Sequence, residues 1–256
     1  MKRCLKSNPE PACLANYRST SPGASWEEFR DHAAGESYTE VRNTLGRGQG
    51  GLCAYCELDP DHVNQQVAHF HPKSDRAGGT NWALHWPNLW LACKGGSQAW
   101  MLERENYLPP LPENLSCDEA KGNEVVDGLV LAPGDVPAFP RIFKYEQQPD
   151  FVVVVVDEDG CQVAGIDEEK ARRTIEKFNL NCPRLGEARL VLLRQVESQV
   201  KRLRESAHDP RAFVELLIQR FLSKDASGNW RKFFTLVRWR FGATAENYLR
   251  SIGFRG

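Results

Sequence analysis

The sequence lacks any long hydrophobic run, and its first residues lack the apolar core of a secretory signal. No apolar stretch approaches the roughly 20 residues that a membrane-spanning helix needs, and Met1-Lys-Arg-Cys-Leu is followed by no apolar segment. The sequence also shows no internal repeat and no low-complexity tract. These absences predict a globular protein of the cytoplasm, with no membrane association. The 256 residues, 41% of them hydrophobic and 26% charged, agree with that class.

The net charge is only −1, but it is unevenly distributed along the chain. Residues 201–256 contain 12 Lys and Arg against 5 Asp and Glu, whereas the rest of the chain contains 21 against 29. A basic segment attracts phosphate backbones, although a solvated helix face gives the same pattern. Arg231-Lys-Phe-Phe and Arg238-Trp-Arg combine basic with aromatic side chains and would suit either DNA or RNA.

Local patterns predict an arm and two helices before residue 50. Residues 1–25 are rich in Pro, Ser, Gly and Cys, which predicts an extended arm. Ser25, followed by two glutamates, predicts the start of a helix. A second helix is expected from Tyr38 to about Leu45, ended by the glycines that follow.

The second half of the chain is expected to begin with strands and to continue as helices. The predicted strands are 141–145, 151–156 and, after a turn at 157–160, 161–164. From residue 167 the hydrophobic period becomes helical, and one face would carry Leu193, Val196, Val200 and Leu203. Later helices are expected at 210–223, 229–240 and 244–252.

Eight cysteines in a reducing compartment favour metal or redox chemistry over a disulfide framework. Cys53-Ala-Tyr-Cys56 is a C-x2-C knuckle, typical of zinc sites and of thioredoxin-like redox sites. A redox motif needs a strand before it and a helix after it, but a Gly-rich segment precedes this knuckle. With Cys93 and Cys117 it would form a closed tetrahedral site, typical of structural zinc. The other cysteines are expected to be small buried thiols: Cys4, Cys13, Cys161 and Cys182.

A second group of polar residues lies after the knuckle, in Val67-Ala-His-Phe-His-Pro-Lys-Ser74. Trp86-Pro-Asn-Leu-Trp-Leu-Ala-Cys93 follows, and then Cys117-Asp-Glu-Ala-Lys-Gly-Asn123. The sequence resembles the HNH endonuclease superfamily in four features. These are a C-x2-C, a His-apolar-x-Pro-Lys-Ser segment, Asn-Leu and a further Cys. The split second cysteine pair, and an N-terminus that includes Tyr17, look like the PtuB-type branch. That branch contains HNH partners of Septu anti-phage systems, some linked to retrons. The resemblance covers about residues 1–125.

The resemblance implies an α+β protein with a zinc-stapled ββα-metal module and a mostly helical C-terminal half. Structural Zn²⁺ would be bound by Cys53, Cys56, Cys93 and Cys117. The implied catalytic residues are His69 as general base, Asn88 as the residue that orients it, and Asp118 as ligand of a catalytic Mg²⁺ or Mn²⁺. Lys73 and Lys121 are either phosphate contacts or ordinary surface lysines.

The chain would divide into four segments: an N-terminal arm with helices (1–50), the HNH module (51–125), a β-hairpin region (126–166) and a helical basic region (167–256). The implied partners are an ATPase of PtuA type and a nucleic acid, either DNA or RNA, including tRNA. The arm and the helical half are candidate docking surfaces for the ATPase.

Simpler roles are open for several of these residues. A single histidine is more often structural than catalytic, and His62, His71 and His85 are assigned to that class. Asn88 is also compatible with a turn cap. The tryptophans are expected to serve packing rather than base stacking: Trp82, Trp86 and Trp90.

Position 68 departs from the family pattern, which places a metal-binding acid or histidine immediately before the catalytic histidine. The methyl group of Ala68 cannot coordinate a metal. Three explanations are compatible with it: the site is weakened or inactive, His71 or Glu119 supplies a replacement ligand, or the alanine was introduced deliberately. On a strand His71 would share the face of His69 rather than that of position 68, which disfavours His71.

Three functions are therefore compatible with the sequence. The first is a metal-dependent HNH nuclease, the effector of an anti-phage system. The second is a catalytically inactive, zinc-stapled adaptor that binds protein or nucleic acid, which Ala68 favours and the intact His69, Asn88 and Asp118 oppose. The third is a thiol redox protein, which requires a reducible disulfide between Cys53 and Cys56.

Overall fold

The computed structural model describes residues 1–6, 9–60, 64–97, 111–206 and 210–256, and it combines helices with two small antiparallel sheets. The α-helices are α1 (Ala12–Thr20), α2 (Trp26–Asp31), α3 (Glu36–Gln49), α4 (Cys117–Lys121), α5 (Glu158–Ala164), α6 (Glu168–Lys177), α7 (Pro183–Ser206), α8 (Pro210–Leu222) and α9 (Phe234–Ser251). The strands are β1 (Gln65–His69), β2 (Leu89–Cys93), β3 (Phe143–Gln147) and β4 (Val152–Val156). Within these ranges, no helix combines the length and the apolar character needed to cross a bilayer.

Residues Ala12–Thr20 form helix α1, so the predicted extended arm is wrong for this part of its length. Helix α1 buries Leu14 completely, and the ring of Tyr17 packs edge-on against Phe29 with 5.3 Å between centroids. So short a helix is marginal by itself in water. Its packing against α2 and α3, which a local pattern does not reveal, therefore stabilises it.

Helix α2 begins where Ser25 predicts. Ser25 Oγ accepts a hydrogen bond from the backbone of Glu28 at 3.2 Å, and the Glu28 carboxylate accepts one from the Ser25 backbone at 2.7 Å. This reciprocal capping box satisfies two otherwise unpaired amides.

Helix α3 is longer than predicted, because it continues through the two glycines expected to end it and stops at Gly50, where φ is +67°. Its last turn is fixed by Gln49, whose amide donates to the carbonyls of Leu52 and Leu91 at 3.0 and 2.9 Å. An isolated glycine costs a helix only about 1 kcal/mol, which these buried hydrogen bonds offset.

Strands β1 and β2 form a hairpin with His69 opposite Leu89 and Ala68 opposite Trp90. Successive residues of a strand face opposite sides. Ala68 and Trp90 pack into the larger hydrophobic cluster, which contains the four cysteines of the predicted zinc site, whereas Leu89 packs into a smaller cluster with Trp26 of α2. Helix α4 contacts β2 and completes a ββα arrangement. The strand that carries His69 is therefore held from both sides.

The predicted strands at 141–145 and 151–156 are confirmed in outline by the antiparallel pair β3 and β4. The predicted third strand at 161–164 is wrong, because these residues lie in α5. Asp157 caps this helix by accepting from the Gly160 amide at 3.4 Å, and two acidic residues occupy the first turn. These helix-start signals outweigh the β propensity of the short segment that follows.

The helical C-terminal half is confirmed, with one change in its segmentation. Three of the four residues predicted to share a face of α7 are buried; the side chain of the fourth, Leu203, lies outside the described residues. The predicted helices 229–240 and 244–252 form the single element α9, in which Gly242 departs from helical geometry at φ +55° and ψ −131°. Residues 229–233 precede it as non-helical chain.

The larger hydrophobic cluster extends from Met1 to Phe254 and contains residues of all four predicted segments. Helix α7 contacts β4, α8 and α9, so the helices pack on the second hairpin. The four-segment division remains a prediction.

Candidate active site and metal centre

Four cysteine side chains converge in the interior. The Sγ atoms of Cys53, Cys56, Cys93 and Cys117 all lie within 4.8 Å of one another, and all four residues are buried. The Sγ–Sγ distances are 3.8 Å for Cys53–Cys117, 3.6 Å for Cys56–Cys93 and 3.7 Å for Cys93–Cys117. Sulfur atoms placed tetrahedrally about 2.3 Å from zinc would be separated by about 3.8 Å. The thiols therefore have the spacing of a metal site and could bind a metal such as zinc.

These cysteines come from three parts of the fold. Cys53 and Cys56 lie in the turn after α3, where the Cys53 amide donates to the carbonyl of Leu58 at 2.8 Å. Cys93 is the last residue of β2, and Cys117 begins α4 at a φ of +60°. A bound metal would therefore join the knuckle, the hairpin and the helix.

The remaining cysteines lie outside this cluster and, like all eight, are free thiols. Cys4, Cys161 and Cys182 are buried, as predicted. Cys13 is partly exposed, which corrects the expectation of burial. Its Sγ lies 3.7 Å from the carbonyl of Ser37.

His69, at the end of β1, is 7% exposed and has a fixed orientation. Its Nε2 lies 3.1 Å from the carbonyl oxygen of Ala83, and its ring meets the ring of Trp26 edge-on with 4.7 Å between centroids. A carbonyl only accepts, so Nε2 carries the hydrogen and Nδ1 keeps its lone pair. Burial lowers the pKa of His69 to about 4, which leaves a neutral imidazole at neutral pH. This is the protonation state that a general base requires.

A cleft of about 220 Å³ brings four predicted site residues together: His69, Lys73, Asp118 and Lys121. Its lining also includes Glu119 and, from α2 and α3, three residues that the sequence did not indicate, Trp26, Arg30 and Tyr38. No local motif marks these three, because only tertiary packing brings them to the hairpin.

The charged groups of the cleft are partly desolvated. Burial raises the pKa of the Asp118 carboxyl to about 6, although the Lys121 ammonium, 3.6 Å from Oδ1, opposes this rise. Lys121 is 3% exposed and donates to the carbonyl of Gly122 at 2.8 Å, so it is not an ordinary surface lysine. Lys73 is more exposed and pairs with Glu27. A divalent cation beside Asp118 would favour its charged form.

Comparison with known proteins gives the chain its family. No family model matches it. A protein of Escherichia coli, named as an HNH endonuclease of retron Ec83, is 35% identical over 213 residues, which are 75% of this chain and 79% of the relative. The chain belongs to the retron-associated HNH endonucleases. A protein of Vibrio cholerae serotype O1 biovar El Tor, named for retron Vc95, is 25% identical over 179 residues, or 68% of this chain and 82% of the relative.

Asn88 of this HNH family member does not line the described cleft. Its side chain instead fixes two backbone segments near His69. Its Oδ1 accepts from the His71 amide at 2.6 Å, and its Nδ2 donates to the carbonyls of His71 and Trp82, both at 2.9 Å. Trp82 precedes Ala83, whose carbonyl orients His69. The side chain thus joins the segment after His69 to the segment that holds its ring.

Replacing Asn88 with alanine is expected to lower the free energy of unfolding by about 2–4 kcal/mol, because it leaves buried backbone groups without partners. Urea denaturation of the metal-loaded protein measures this change. An Asn16→Ala control, at an exposed position of α1, should differ from the unmodified protein by no more than about 0.5 kcal/mol. An equally small effect at position 88 would contradict the bracing role.

Ala68 faces away from the ring of His69. It is fully buried in the larger hydrophobic cluster, opposite Trp90. Of the two proposed replacement ligands, His71 has both ring nitrogens engaged, Nδ1 with Asp127 at 2.7 Å and Nε2 with Asp75 at 2.9 Å. Glu119, in contrast, lines the cleft beside Asp118.

The other aromatic and histidine residues mostly have packing roles. Trp86 and Trp90 are buried, and the Lys6 ammonium lies 4.9 and 4.4 Å from their ring centroids, so the packing interpretation is confirmed for both. Trp82 lies against the ring of His71 at 4.1 Å and meets His85 edge-on. His62 lies outside the described residues.

The basic C-terminal segment is less available for nucleic acid than its composition suggests. Arg238 is 3% exposed and forms a bidentate ion pair with Glu246, with both distances 2.7 Å. Arg240 pairs with Glu197 at 3.3 Å. The expectation that Arg238-Trp-Arg contacts nucleic acid is therefore wrong for Arg238, whereas Arg231 remains exposed.

Proposed function

We propose that this chain is a metal-dependent HNH nuclease that hydrolyses phosphodiester bonds of DNA or RNA. The orientation of His69 carries the proposal. Because Nε2 is held by the carbonyl of Ala83, the basic nitrogen of the neutral imidazole is Nδ1, and His69 lines the same cleft as Asp118. A general base and a cation-binding acid are the two components that phosphodiester hydrolysis requires.

In the proposed mechanism His69 takes the proton of the attacking water on Nδ1, while Asn88 keeps the two backbone segments around the ring in place. The Lys73 ammonium adds positive charge near the phosphate. Asp118 and Glu119 are the residues that would hold Mg²⁺ or Mn²⁺, because hard cations prefer carboxylate oxygens. When bound, the cation stabilises the negative charge that develops on the phosphate.

Glu119 is proposed as the replacement for the acid missing at position 68. It follows Asp118 in α4, lines the same cleft, and is oriented by Gln66, whose Nε2 donates to Oε1 at 3.0 Å. Gln66 and Ala68 lie two residues apart on β1 and so face the same side. The glutamate therefore approaches the side of the strand from which the family's acid would project.

The proposal includes structural Zn²⁺ at the four cysteines, supported by their spacing and burial. It also includes a role as effector of an anti-phage system with an ATPase of PtuA type, which rests on the PtuB-like motifs. Both relatives are named for the retron to which each belongs. Helix α1 and the helical C-terminal half are the proposed docking surfaces for the ATPase.

Cleavage assays with Mg²⁺ or Mn²⁺ on labelled DNA, RNA and tRNA, with and without the ATPase, test the proposal. The unmodified chain is compared with Ala68→Glu, Ala68→Glu/His69→Ala and Glu119→Gln. If the unmodified chain cleaves in a metal-dependent manner and Glu119→Gln does not, the role of Glu119 as replacement ligand is supported. Cleavage only by Ala68→Glu means that the natural site is weakened.

The second candidate is a zinc-stapled adaptor without nuclease activity, which the buried methyl group at position 68 favours. It predicts binding of nucleic acid or of a partner protein with no cleavage by any of the four proteins above. That outcome, obtained with metal-loaded and folded samples, would refute the nuclease proposal.

A further inference from the structure

Arg184, at the beginning of α7, is among the largest fully buried side chains of the protein. It is 1% exposed, and its Nε has no hydrogen-bond partner. Among the described residues it forms no ion pair with a carboxylate, unlike the buried Arg238, which pairs with Glu246. Burying an unpaired guanidinium is strongly unfavourable. The protein must therefore supply negative charge of another kind.

Thiolates of the cysteine cluster would supply such charge. Arg184 Nη2 donates to Ser116 Oγ at 2.6 Å, and Ser116 Oγ lies 3.6 Å from Cys117 Sγ. A guanidinium only donates, so Ser116 accepts from Arg184 and its own hydrogen is available to the sulfur. Negatively charged sulfurs at Cys93, Cys182, Cys56 and Cys117 would each favour the charged form of the guanidinium, which burial disfavours.

The glycines that follow Cys93 make this approach possible. A Cβ on Gly96 would lie 2.7 Å from Arg184 Nε, and a Cβ on Gly95 would lie 2.2 Å from the carbonyl oxygen of Ser116. Both glycines also have positive φ, +86° and +54°. The Cys-Lys-Gly-Gly sequence thus leaves room for both the arginine and the serine.

We propose that Arg184 is the counter-charge of the four-cysteine metal centre, acting on Cys117 through Ser116. Four thiolates around Zn²⁺ carry a net charge of −2, and a buried cation beside them reduces the cost of that charge. The arginine would also tie α7, and with it the helical half, to the metal. This inference rests on the structural metal of the proposed function and is independent of cleavage.

The test compares zinc affinity and the cobalt spectrum of four full-length proteins: unmodified, Arg184→Gln, Arg184→Lys and Arg189→Gln. Arg189 is the matched control. It lies on the same helix, is 2% exposed, and contacts the Val152 carbonyl at 3.4 Å and the ring of Tyr145 instead of the cysteines. Zinc affinity is measured by competition with a chromophoric chelator.

Arg184→Gln is expected to lower zinc affinity about 10- to 100-fold, the range for residues that support metal ligands. Its sulfur-to-cobalt charge-transfer band should move to lower energy, because the sulfur lone pairs lose a neighbouring positive charge. Arg184→Lys keeps the charge and should recover most of the affinity. Arg189→Gln should destabilise the fold while leaving the affinity and the band unchanged.

The results distinguish a failure of the proposed metal centre from a failure of the role of Arg184. An unmodified chain that binds neither Zn²⁺ nor Co²⁺ refutes the metal centre and this inference together. Normal metal binding with an unchanged affinity and band in Arg184→Gln refutes this inference alone, as does a lysine variant no better than the glutamine variant. If Arg184→Gln does not fold, Ser116→Ala should shift the band in the same direction, and an unshifted band overturns the proposal.

Discussion

A His69→Ala protein is expected to cleave nucleic acid about 100- to 10,000-fold more slowly than the unmodified chain, the usual contribution of a positioned general base. Alanine removes the imidazole that the Ala83 carbonyl orients and that lines the cleft beside Asp118. Divalent metal binding at Asp118 and Glu119 should be retained. Initial rates at saturating Mg²⁺ or Mn²⁺ measure the effect, on whichever substrate the unmodified chain cleaves.

His85→Ala is the matched control for this experiment. Its imidazole is partly buried, does not line the described cleft, and packs edge-on against Trp82 at 5.4 Å. The His85→Ala protein should cleave at the unmodified rate, and all proteins should show the same thermal transition before rates are compared. Equal rates for His69→Ala and the unmodified chain would mean that another group activates the water.

The parts of the site that could be predicted from the sequence are those with a local pattern. The knuckle at Cys53 and the His-apolar-x-Pro-Lys-Ser segment each occupy a few consecutive residues, and the structure gathers His69 and Asp118 into one cleft. The spacing signal is weaker for Cys117, because 23 residues separate it from Cys93, and the family resemblance adds to it.

The parts that could not be predicted depend on contacts between distant residues. The carbonyl of Ala83 has no sequence signature, since every residue has one, yet it determines the tautomer of His69. Arg184 on an amphipathic helix cannot be distinguished in the sequence from a solvated arginine. The pattern at 157–160 predicts a hairpin turn followed by a strand at 161–164, but Asp157 instead caps a helix, and local sequence does not separate the two.

The geometry of the β1–β2 hairpin separates the environment of Ala68 from that of His69. Because β1 lies between two hydrophobic clusters, residue 68 and residue 69 face different environments. Ala68 adds apolar contact beside Trp90 and the cysteines, whereas His69 keeps its contacts with Trp26 and Ala83. Alanine at position 68 is therefore compatible with the observed orientation of the proposed base.

Replacing Cys93 with alanine is expected to release the structural metal and to unfold the region that the metal joins. Structural zinc sites contribute about 10–16 kcal/mol of apparent binding free energy, whereas whole domains are stable by only about 5–15 kcal/mol. Cys93 ends β2, so its loss disconnects the hairpin from the knuckle and from α4. His69 and Asp118, which lie on the elements so joined, should separate.

Metal content by mass spectrometry and thermal unfolding by circular dichroism measure the two effects together. Cys161→Ala is the matched control, because Cys161 is also fully buried but lies in α5, outside the cluster. It should retain one equivalent of zinc and show only the moderate destabilisation of a small core truncation, about 1 kcal/mol. If the unmodified chain contains no zinc, or if Cys93→Ala has the same metal content and thermal transition as the unmodified chain, the four cysteines do not form a structural metal site, and the rigidity of the cleft must come from the two hydrophobic clusters alone.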